Sequence, residues 1–442
     1  MDIAIIGVGH VGLTTAAVLA DHGHRVVGLD DDPVKLATLR AGEVWFHEPD
    51  LPELVAKVTA DGSLTFTDDL AAAVEHAEVI FCCVGTPPLP GGGPDLRFVE
   101  RVGQQVAQHA TREVVLVEKS TVPANTGARL TQVIQRERAA LDRDDVLVHV
   151  ASNPEFLREG IAVRDTSHPD RIVYGTASDF ARAKMREVYA PMVERVGCPV
   201  VETDVPTAEL IKHAANAFLA TRLSFINAVA NVCDRVGADI ELVAEGMGHD
   251  ARIGHQFLQA GIGYGGSCFP KDVDAFAHLA RQVGYDFGLL DEVKAINDGQ
   301  RQVVIDRLVD ELWHLQDKTI AILGAAFKPG TDDLREAPAI YLARDLIAAG
   351  ATVHVYDPVA LPGVEREVPD AIRFDDPLEA LRGAHAAVIA TEWEQITALD
   401  PADIKAALDY PILIDGRNCI DARAAIDAGL RYHGIGRGHL RS

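Results

Sequence analysis

The stretch Gly263-Tyr264-Gly265-Gly266-Ser267-Cys268-Phe269-Pro270-Lys271-Asp272 sets one cysteine ahead of a helix, with a lysine and a carboxylate just behind it. Pro270 suits the first helical turn, and residues 273–284 continue as a helical run that ends in glycine. Cys268 then lies at a helix N-terminus, where free N–H groups and the macrodipole favour a thiolate, and Lys271 adds positive charge. The glycines of the loop would let a substrate approach the backbone closely. A buried cysteine beside a Gly-rich turn would account for a lone thiol. Here helix mouth, cation and carboxylate coincide, which points to nucleophilic catalysis.

A second constellation lies on the apolar segment 207–236, which includes Ala208, Leu210, Ile211, Ala217, Phe218, Leu223, Ile226 and Val232. A helix of about 30 residues spans about 45 Å and cannot bury all of that surface in one small domain. It reads as a spine between domains with a dimer seam along it. Lys212 and Asn216 are four apart on it and share a face. A lysine facing inward needs a partner or a task, whereas an exposed one lays its stem on the surface. Glu155 and Glu159, in Pro154-Glu155-Phe156-Leu157-Arg158-Glu159-Gly160, would share a face if helical, although such pairs are usually solvated.

These residues need elements to position them. The apolar strand Ile3-Ala4-Ile5-Ile6 runs into Gly7-Val8-Gly9-His10-Val11-Gly12 and a helix over 13–22, and a second strand over 25–29 ends at Asp30. Asp30 stands 18 positions after the third glycine. In this dinucleotide fingerprint the first glycine makes the turn, the second admits the pyrophosphate and the third permits helix packing. The pyrophosphate rests on the helix N-terminus, and Asp30 binds ribose hydroxyls, which favours NAD over NADP. Strands over 79–84, 114–118 and 146–150 lead into Gly85-Thr86-Pro87-Pro88, Lys119-Ser120-Thr121-Val122-Pro123 and Ser152-Asn153-Pro154-Glu155. Such loops belong at the carboxyl edge of a parallel sheet. The theme recurs in 319–324, 353–357 and 386–390, yet Gly324-Ala325-Ala326-Phe327-Lys328-Pro329 lacks the three-glycine spacing, so this unit should hold a different nucleotide or none.

The chain has 442 residues, 48% hydrophobic and 24% charged, enough for two or three globular domains. Its net charge of −25, from 41 basic and 66 acidic residues, argues against nucleic acid or an anionic membrane as partner. An anionic substrate then requires a local basic pocket. No basic n-region precedes the first strand, and no apolar run is long enough to cross a membrane. Cys82, Cys83, Cys198, Cys233, Cys268 and Cys419 show no metal-ligand spacing and read as reduced thiols. A cytoplasmic protein without a metal is expected.

Taken in order, these motifs resemble the UDP-glucose/GDP-mannose dehydrogenase family over nearly the whole chain, most closely the members that oxidise UDP-glucose. Further matches are Lys35, Arg252-Ile253-Gly254, Phe327-Lys328-Pro329-Gly330-Thr331-Asp332-Asp333-Leu334-Arg335 and Asp415-Gly416-Arg417. The resemblance implies an α/β architecture of two Rossmann-like doubly wound domains joined by a long central helix in a small α-helical domain. Residues 1–203 would bind NAD, 204–300 would carry the spine, cysteine loop and dimer contact, and 301–442 would bind the UDP-sugar. It implies oxidation of a sugar C6 alcohol to a carboxylate by two NAD+. Cys268 attacks the bound aldehyde, Lys212 and Asn216 stabilise the oxyanion, and Glu155, Asp272 and Thr121 organise water with support from Glu159. Gly7, Gly9, Val11, Gly12, Asp30, Lys35, Thr86, Thr121, Glu159, Lys271 and Arg335 would meet the cofactor. Glu155, Phe156, Leu157, Lys212, Asn216, Arg252, Phe257, Tyr264, Gly265, Cys268, Phe327, Lys328 and Arg417 would meet UDP-glucose, Arg252 from a neighbouring subunit in a homodimer or larger assembly.

Against the family pattern, His10 replaces a common tyrosine, and His47 and Asp50 stand where tyrosine and glycine are usual. UDP-N-acetylmannosamine or GDP-mannose are alternative substrates. A one-step β-hydroxyacid dehydrogenase, which has no use for Cys268, and a non-catalytic nucleotide-sugar binder are rivals of other classes.

Overall fold

In the computed structural model, residues 1–143 and 146–441 are described. The first sheet contains β1 (Asp2–Ile6), β2 (Arg25–Leu29), β3 (Leu64–Thr67), β4 (Val79–Cys82), β5 (Val114–Glu118), β6 (Val148–Ser152), β7 (Ile172–Thr176) and β8 (Val200–Thr203). Their spatial order is 3-2-1-4-5-6-7-8. All neighbours are parallel except β6 and β7, where Ala151 faces Thr176. Parallel strands covered on both faces read as unbroken apolar runs, and β1 shows why. Ile3 and Ile5 enter one hydrophobic layer with Leu13 and Ala17, while Ala4 and Ile6 enter the other with Val102 and Val106. The order reverses between β1 and β4, so the loops after these strands flank the crevice where such sheets bind ligands.

The second sheet comprises β9 (Thr319–Leu323), β10 (Thr352–Tyr356), β11 (Ile372–Phe374), β12 (Ala386–Ile389), β13 (Ile412–Asp415) and β14 (Arg431–Gly434), ordered 11-10-9-12-13-14. This is the same 3-2-1-4-5-6 plan, parallel throughout. Ile320 and Ile322 pack on one side, Ala321 and Leu323 on the other. The expected pair of Rossmann-like sheets is therefore present. The strand expected over 146–150 is shifted to Val148–Ser152, where it extends the β5 ladder through Glu118–Ser152.

The spine is one helix of 32 residues, Val205–Val236. The chain forms two compact units, Met1–Ala215 with His278–Gly284, and Asn216–Ala277 with Tyr285–Ser442. Their boundary thus falls inside the spine, between Lys212 and Asn216. Ala208, Ala217, Ala220 and Ile226 are buried on it, while Leu210, Phe218, Phe225, Val232 and Val236 form an exposed apolar stripe at helical spacing.

Candidate active site

In the first unit the turn after β1 is built as its glycines require. Gly7 has φ +91°, a conformation that costs a glycine little, and its N–H donates to Leu29 O at 2.8 Å. A Cβ on Gly12 would lie 1.8 Å from Gly7 O, so only glycine lets the helix His10–Asp21 start here. A Cβ on Gly9 would meet nothing within 4 Å, which leaves its face open beside the helix N-terminus that follows. Asp30, at the end of β2, accepts from Val8 N at 3.2 Å and Asp32 N at 3.1 Å, with Lys35 Nζ 3.7 Å away. An open glycine face, a helix N-terminus and a held carboxylate fit a dinucleotide with free ribose hydroxyls.

The departures from the family pattern gather at this same turn. The His10 ring lies 3.8 Å from that of Phe46 and 5.9 Å from Trp45, and Lys35 Nζ sits 5.1 Å above Trp45. Asp50 has φ +66°, which explains why glycine suits the position and why a short polar residue is tolerated. Glu48, unnoticed in the sequence, is buried and accepts from Gly160 N at 2.7 Å and Ala162 N at 2.8 Å. It fastens this segment to the loop bearing Glu159.

Residues 153–158 are not helical, so Glu155 and Glu159 do not share a helix face as a helical spacing would require. Asn153 explains why: its side chain accepts from Lys119 Nζ at 3.0 Å and donates to Val173 O at 2.7 Å, holding the segment along the sheet edge. Glu155 Oε1 instead accepts from Lys212 Nζ at 2.8 Å, and Oε2 accepts from Leu157 N at 2.8 Å. The Lys212 and Glu155 side chains are only 4% and 7% exposed, which rejects the snorkelling lysine. Phe156 is stacked under Arg171 at 3.8 Å, with Lys212 5.6 Å from its ring. Thr86 Oγ1 donates to Thr121 O at 3.0 Å, tying the loops after β4 and β5.

In the second unit Cys268 immediately precedes the helix Phe269–Gln282, and its carbonyl accepts from Asp272 N at 2.8 Å. The expected helix-mouth placement holds. Cys268 Sγ is 3.6 Å from Ser267 Oγ. Buried Asp272 accepts from Asn216 Nδ2 at 2.6 Å, and Lys271 Nζ lies 3.3 Å from its other oxygen. Burial pushes the Cys82 and Cys83 thiols up to about 12 and raises those of Cys198, Cys233 and Cys419.

Protein packing accounts for two of the loop glycines. A Cβ on Gly265 would lie 2.2 Å from Glu336 O, and one on Gly266, at φ +84°, 2.8 Å from the Phe327 ring. Arg417 spends its fork on carbonyls, Nε to Ala390 O at 2.8 Å, Nη1 to Gly263 O at 2.9 Å and Nη2 to Phe327 O at 3.3 Å. It braces the cysteine loop against the loops after β9 and β12. Asn297, missed in the sequence, brackets Tyr264, accepting from its N at 2.8 Å and donating to its O at 3.1 Å. Burial pushes the Tyr264 phenol up to about 12. Phe257, at φ +60°, places its ring 6.2 Å from that of Phe269. Lys328 Nζ lies 5.4 Å from the Phe327 ring, and Arg335 forks onto Asp333 at 2.8 Å through both Nε and Nη2. Arg252 is largely exposed on a turn, paired with Asp250 at 2.6 Å, while Arg222 holds that turn through Ile253 O and Gly254 O.

Asp357 answers the question about the second sheet. It stands after β10 as Asp30 stands after β2. Yet it accepts from Ala325 N, Ala326 N, Val359 N, Ala360 N and Trp393 Nε1, at 2.8 to 3.0 Å. A carboxylate so saturated has no lone pair left for a ribose. This unit keeps the Rossmann scaffold and has given up that dinucleotide contact.

The UDP-glucose/GDP-mannose dehydrogenase family matches in three consecutive parts: its NAD binding domain over residues 1–193, its central domain over 206–299 and its UDP binding domain over 321–422. The chain belongs to this family. It is accordingly an NAD-dependent oxidoreductase. Among its relatives, a UDP-glucose 6-dehydrogenase of Bacillus subtilis is 43% identical over 99% of this chain and 98% of its own. One of Pseudomonas aeruginosa is 42% identical over 100% and 99%. The solved UDP-glucose dehydrogenase of Pyrobaculum islandicum is 35% identical, covers 98% of this chain and 97% of its own, and superposes with a TM-score of 0.90. Among the described residues no helix is long and apolar enough to cross a membrane, and no cluster of His, Cys, Asp and Glu could hold a metal ion.

Proposed function

We propose that the chain is a UDP-glucose 6-dehydrogenase, which converts UDP-glucose to UDP-glucuronate in two oxidations. The observation that carries this reading is the full-length similarity to UDP-glucose 6-dehydrogenases, with Cys268 held at a helix mouth in the family's own loop. NAD+, held at the turn after β1 with Asp30 toward its ribose, would supply the hydride acceptor for C6 in each oxidation. In the first, the C6 hydroxyl gives its proton to a water organised by Asp272, Thr121 and Glu155, supported by Glu159. The Lys212 ammonium and Asn216 amide stabilise the developing alkoxide, an effect that needs donors fixed in a dry site. Glu155 has its oxygens on Lys212 and Leu157 N, so it orients the lysine that faces the reacting oxygen.

The aldehyde stays bound, and the Cys268 thiolate adds to its carbon. The same two donors stabilise the resulting oxyanion, and loss of the second hydride leaves a thioester. Water then adds to the thioester carbon, the C–S bond breaks, and the carboxylate leaves with Cys268 regenerated. Phe156, Leu157, Phe257, Tyr264 and Gly265 line the sugar, Lys328 faces the diphosphate, and Phe327 and Arg417 shape that region. Lys271 and Arg335 face the cofactor.

The division into an NAD-binding part (1–203), a helical part (204–300) and a UDP-sugar-binding part (301–442) is our reading of the labour within the chain. The exposed stripe of Phe218, Phe225, Val232 and Val236 supports a homodimer seam along the spine, with Arg252 reaching a neighbouring subunit's nucleotide. Scattered cysteines without metal-ligand spacing support the cytoplasm as compartment.

The test is stoichiometry. Purified protein with excess NAD+ and limiting UDP-glucose, UDP-galactose, UDP-N-acetylmannosamine or GDP-mannose is followed to completion by NADH absorbance. Two NADH per UDP-glucose, with UDP-glucuronate the only accumulated product, is the expected outcome. One NADH with free aldehyde would remove Cys268 from the chemistry, and two NADH from another sugar nucleotide alone would overturn the substrate.

A further inference from the structure

Glu118 is the last residue of β5 and is 1% exposed, directly ahead of the 119–123 loop that carries Thr121. Among the described residues, no N–H or O–H donor reaches either of its carboxyl oxygens. Ionised, it would be a buried charge with nothing to satisfy it, which is costly in a protein interior. It faces a second buried carboxyl, Glu209 of the spine helix: a Cβ placed on Gly127 would lie 2.9 Å from Glu118 Oε2 and 3.5 Å from Glu209 Oε1. Glu209 Oε2 accepts from Asn125 N at 2.6 Å and Oε1 from Gly127 N at 2.8 Å, capping the helix Thr126–Ala140. One carboxyl has donors and the other has none.

We propose that Glu118 and Glu209 share one proton and act as a positioning pair, fixing the 119–127 segment against the turn of the spine helix that carries Lys212. Glu118 is the acid and donates to Glu209, which stays ionised on the N–H groups of the capped helix. The turn from Glu209 to His213 then grips the segment twice, because His213 Nε2 also meets Val122 O at 2.8 Å. Thr121 lies beside the second grip, and Lys212 lies between the two gripping residues. The functional consequence rests on the reading above, in which Thr121 and Lys212 serve the same reaction; the structural claim does not.

The surroundings favour a neutral acid. On β4 the register partner of Glu118 is Cys82, itself kept a neutral thiol by burial, and on β6 it is Ser152. From the spine come Glu209, Lys212 and His213; Lys212 is committed to Glu155, and the Lys119 ammonium turns to Asn153. The helix Thr126–Ala140 has no acidic residue in its first turn. Burial first, then the Glu209 charge, raise Glu118 well above the usual carboxylate range, and burial also raises Glu209. For an acid so raised, the stabilising form is the protonated one. Its contribution is therefore fully present below the unfolded-state value and is lost as pH rises through the folded-state value.

The test uses the full-length enzyme and amide hydrogen exchange over residues 119–127 at pH 6.5 and pH 9, corrected for intrinsic rates. Wild-type protection should fall by at least about tenfold at the higher pH, the effect of one pKa unit. In E118Q the side-chain amide donates to Glu209 at any pH, so protection should hold at both, with kcat within about threefold of wild type. E118A should be poorly protected at both pH values, with kcat down on the order of 10²-fold and KM little changed, as for a misplaced catalytic loop. Should E118A fail to fold, the contrast between E118Q and wild type decides alone. The proposal is overturned if E118Q follows the wild-type fall with pH, or if E118A keeps wild-type protection. Protection that behaves as described in an enzyme inactive on every nucleotide sugar would support the pair and refute the substrate reading.

Discussion

Replacing Lys212 by alanine should damage stability and chemistry by separate routes, and the two can be measured apart. Lys212 and Glu155 are joined at 2.8 Å, with side chains 4% and 7% exposed. Removing the lysine leaves the Glu155 carboxylate buried, with Leu157 N its remaining donor among the described residues. Breaking a buried pair from one side costs about 3–5 kcal/mol, because the surviving charge is uncompensated. At about 2–4 °C per kcal/mol for a unit of roughly this size, the first unit should melt roughly 6–20 °C lower. The second route is loss of an oxyanion donor, worth roughly 10²-fold or more in kcat. The decisive comparison is Lys212→Ala with Lys212→Ala/Glu155→Gln, by differential scanning calorimetry and NADH production. In the double variant no buried charge is stranded, so most of the lost Tm should return while kcat stays low. Recovery of kcat together with Tm would make Lys212 a structural residue. A single variant that melts within 2 °C of wild type and turns over within a few-fold would refute both arguments.

Asp30 should make NAD+ preferred over NADP+ by at least about tenfold in kcat/KM, or about 1.4 kcal/mol; equal values would show that the carboxylate does not meet the ribose. Cys268→Ser should stall after the first oxidation or at a slowly hydrolysed ester, seen by mass spectrometry as a protein–sugar adduct, and normal release of two NADH would refute covalent catalysis. Hydrogen bonds from Arg186, at 2.7 and 2.6 Å, hold Glu202 down to about 2, with Tyr174 OH assisting. The depressed carboxylate stabilises the fold above its unfolded value near 4.5, and this contribution is lost as pH falls toward 2. Arg186→Ala should therefore narrow the gap in Tm between pH 6 and pH 3, and an unchanged gap would show that the pair contributes nothing.

The sequence determined whatever depends on neighbours along the chain. Gly7 and Gly12 carry their spacing into a turn that requires glycine at both places, Gly9 leaves its face open, and the apolar run of β1 carries its burial on both faces. Cys268 sits before Phe269 and Pro270, so the order of residues alone sets it at a helix mouth. Even Asp50 was legible as a departure, and its positive φ supplies the reason glycine suits that place. Tertiary structure decided which distant groups meet. Lys212 finds Glu155 across 57 residues, Arg417 finds Gly263 O across 154, and Trp393 fills Asp357 across 36. No spacing rule reaches such separations, because these meetings follow from strand order and from which loop each strand end feeds. That is why Glu155 looked like half of a helical carboxylate pair and proved to be the partner of a buried lysine. It is also why the second Rossmann sheet, whose first strand and acidic residue repeat the pattern of the first, reveals only in three dimensions that its acid is already full.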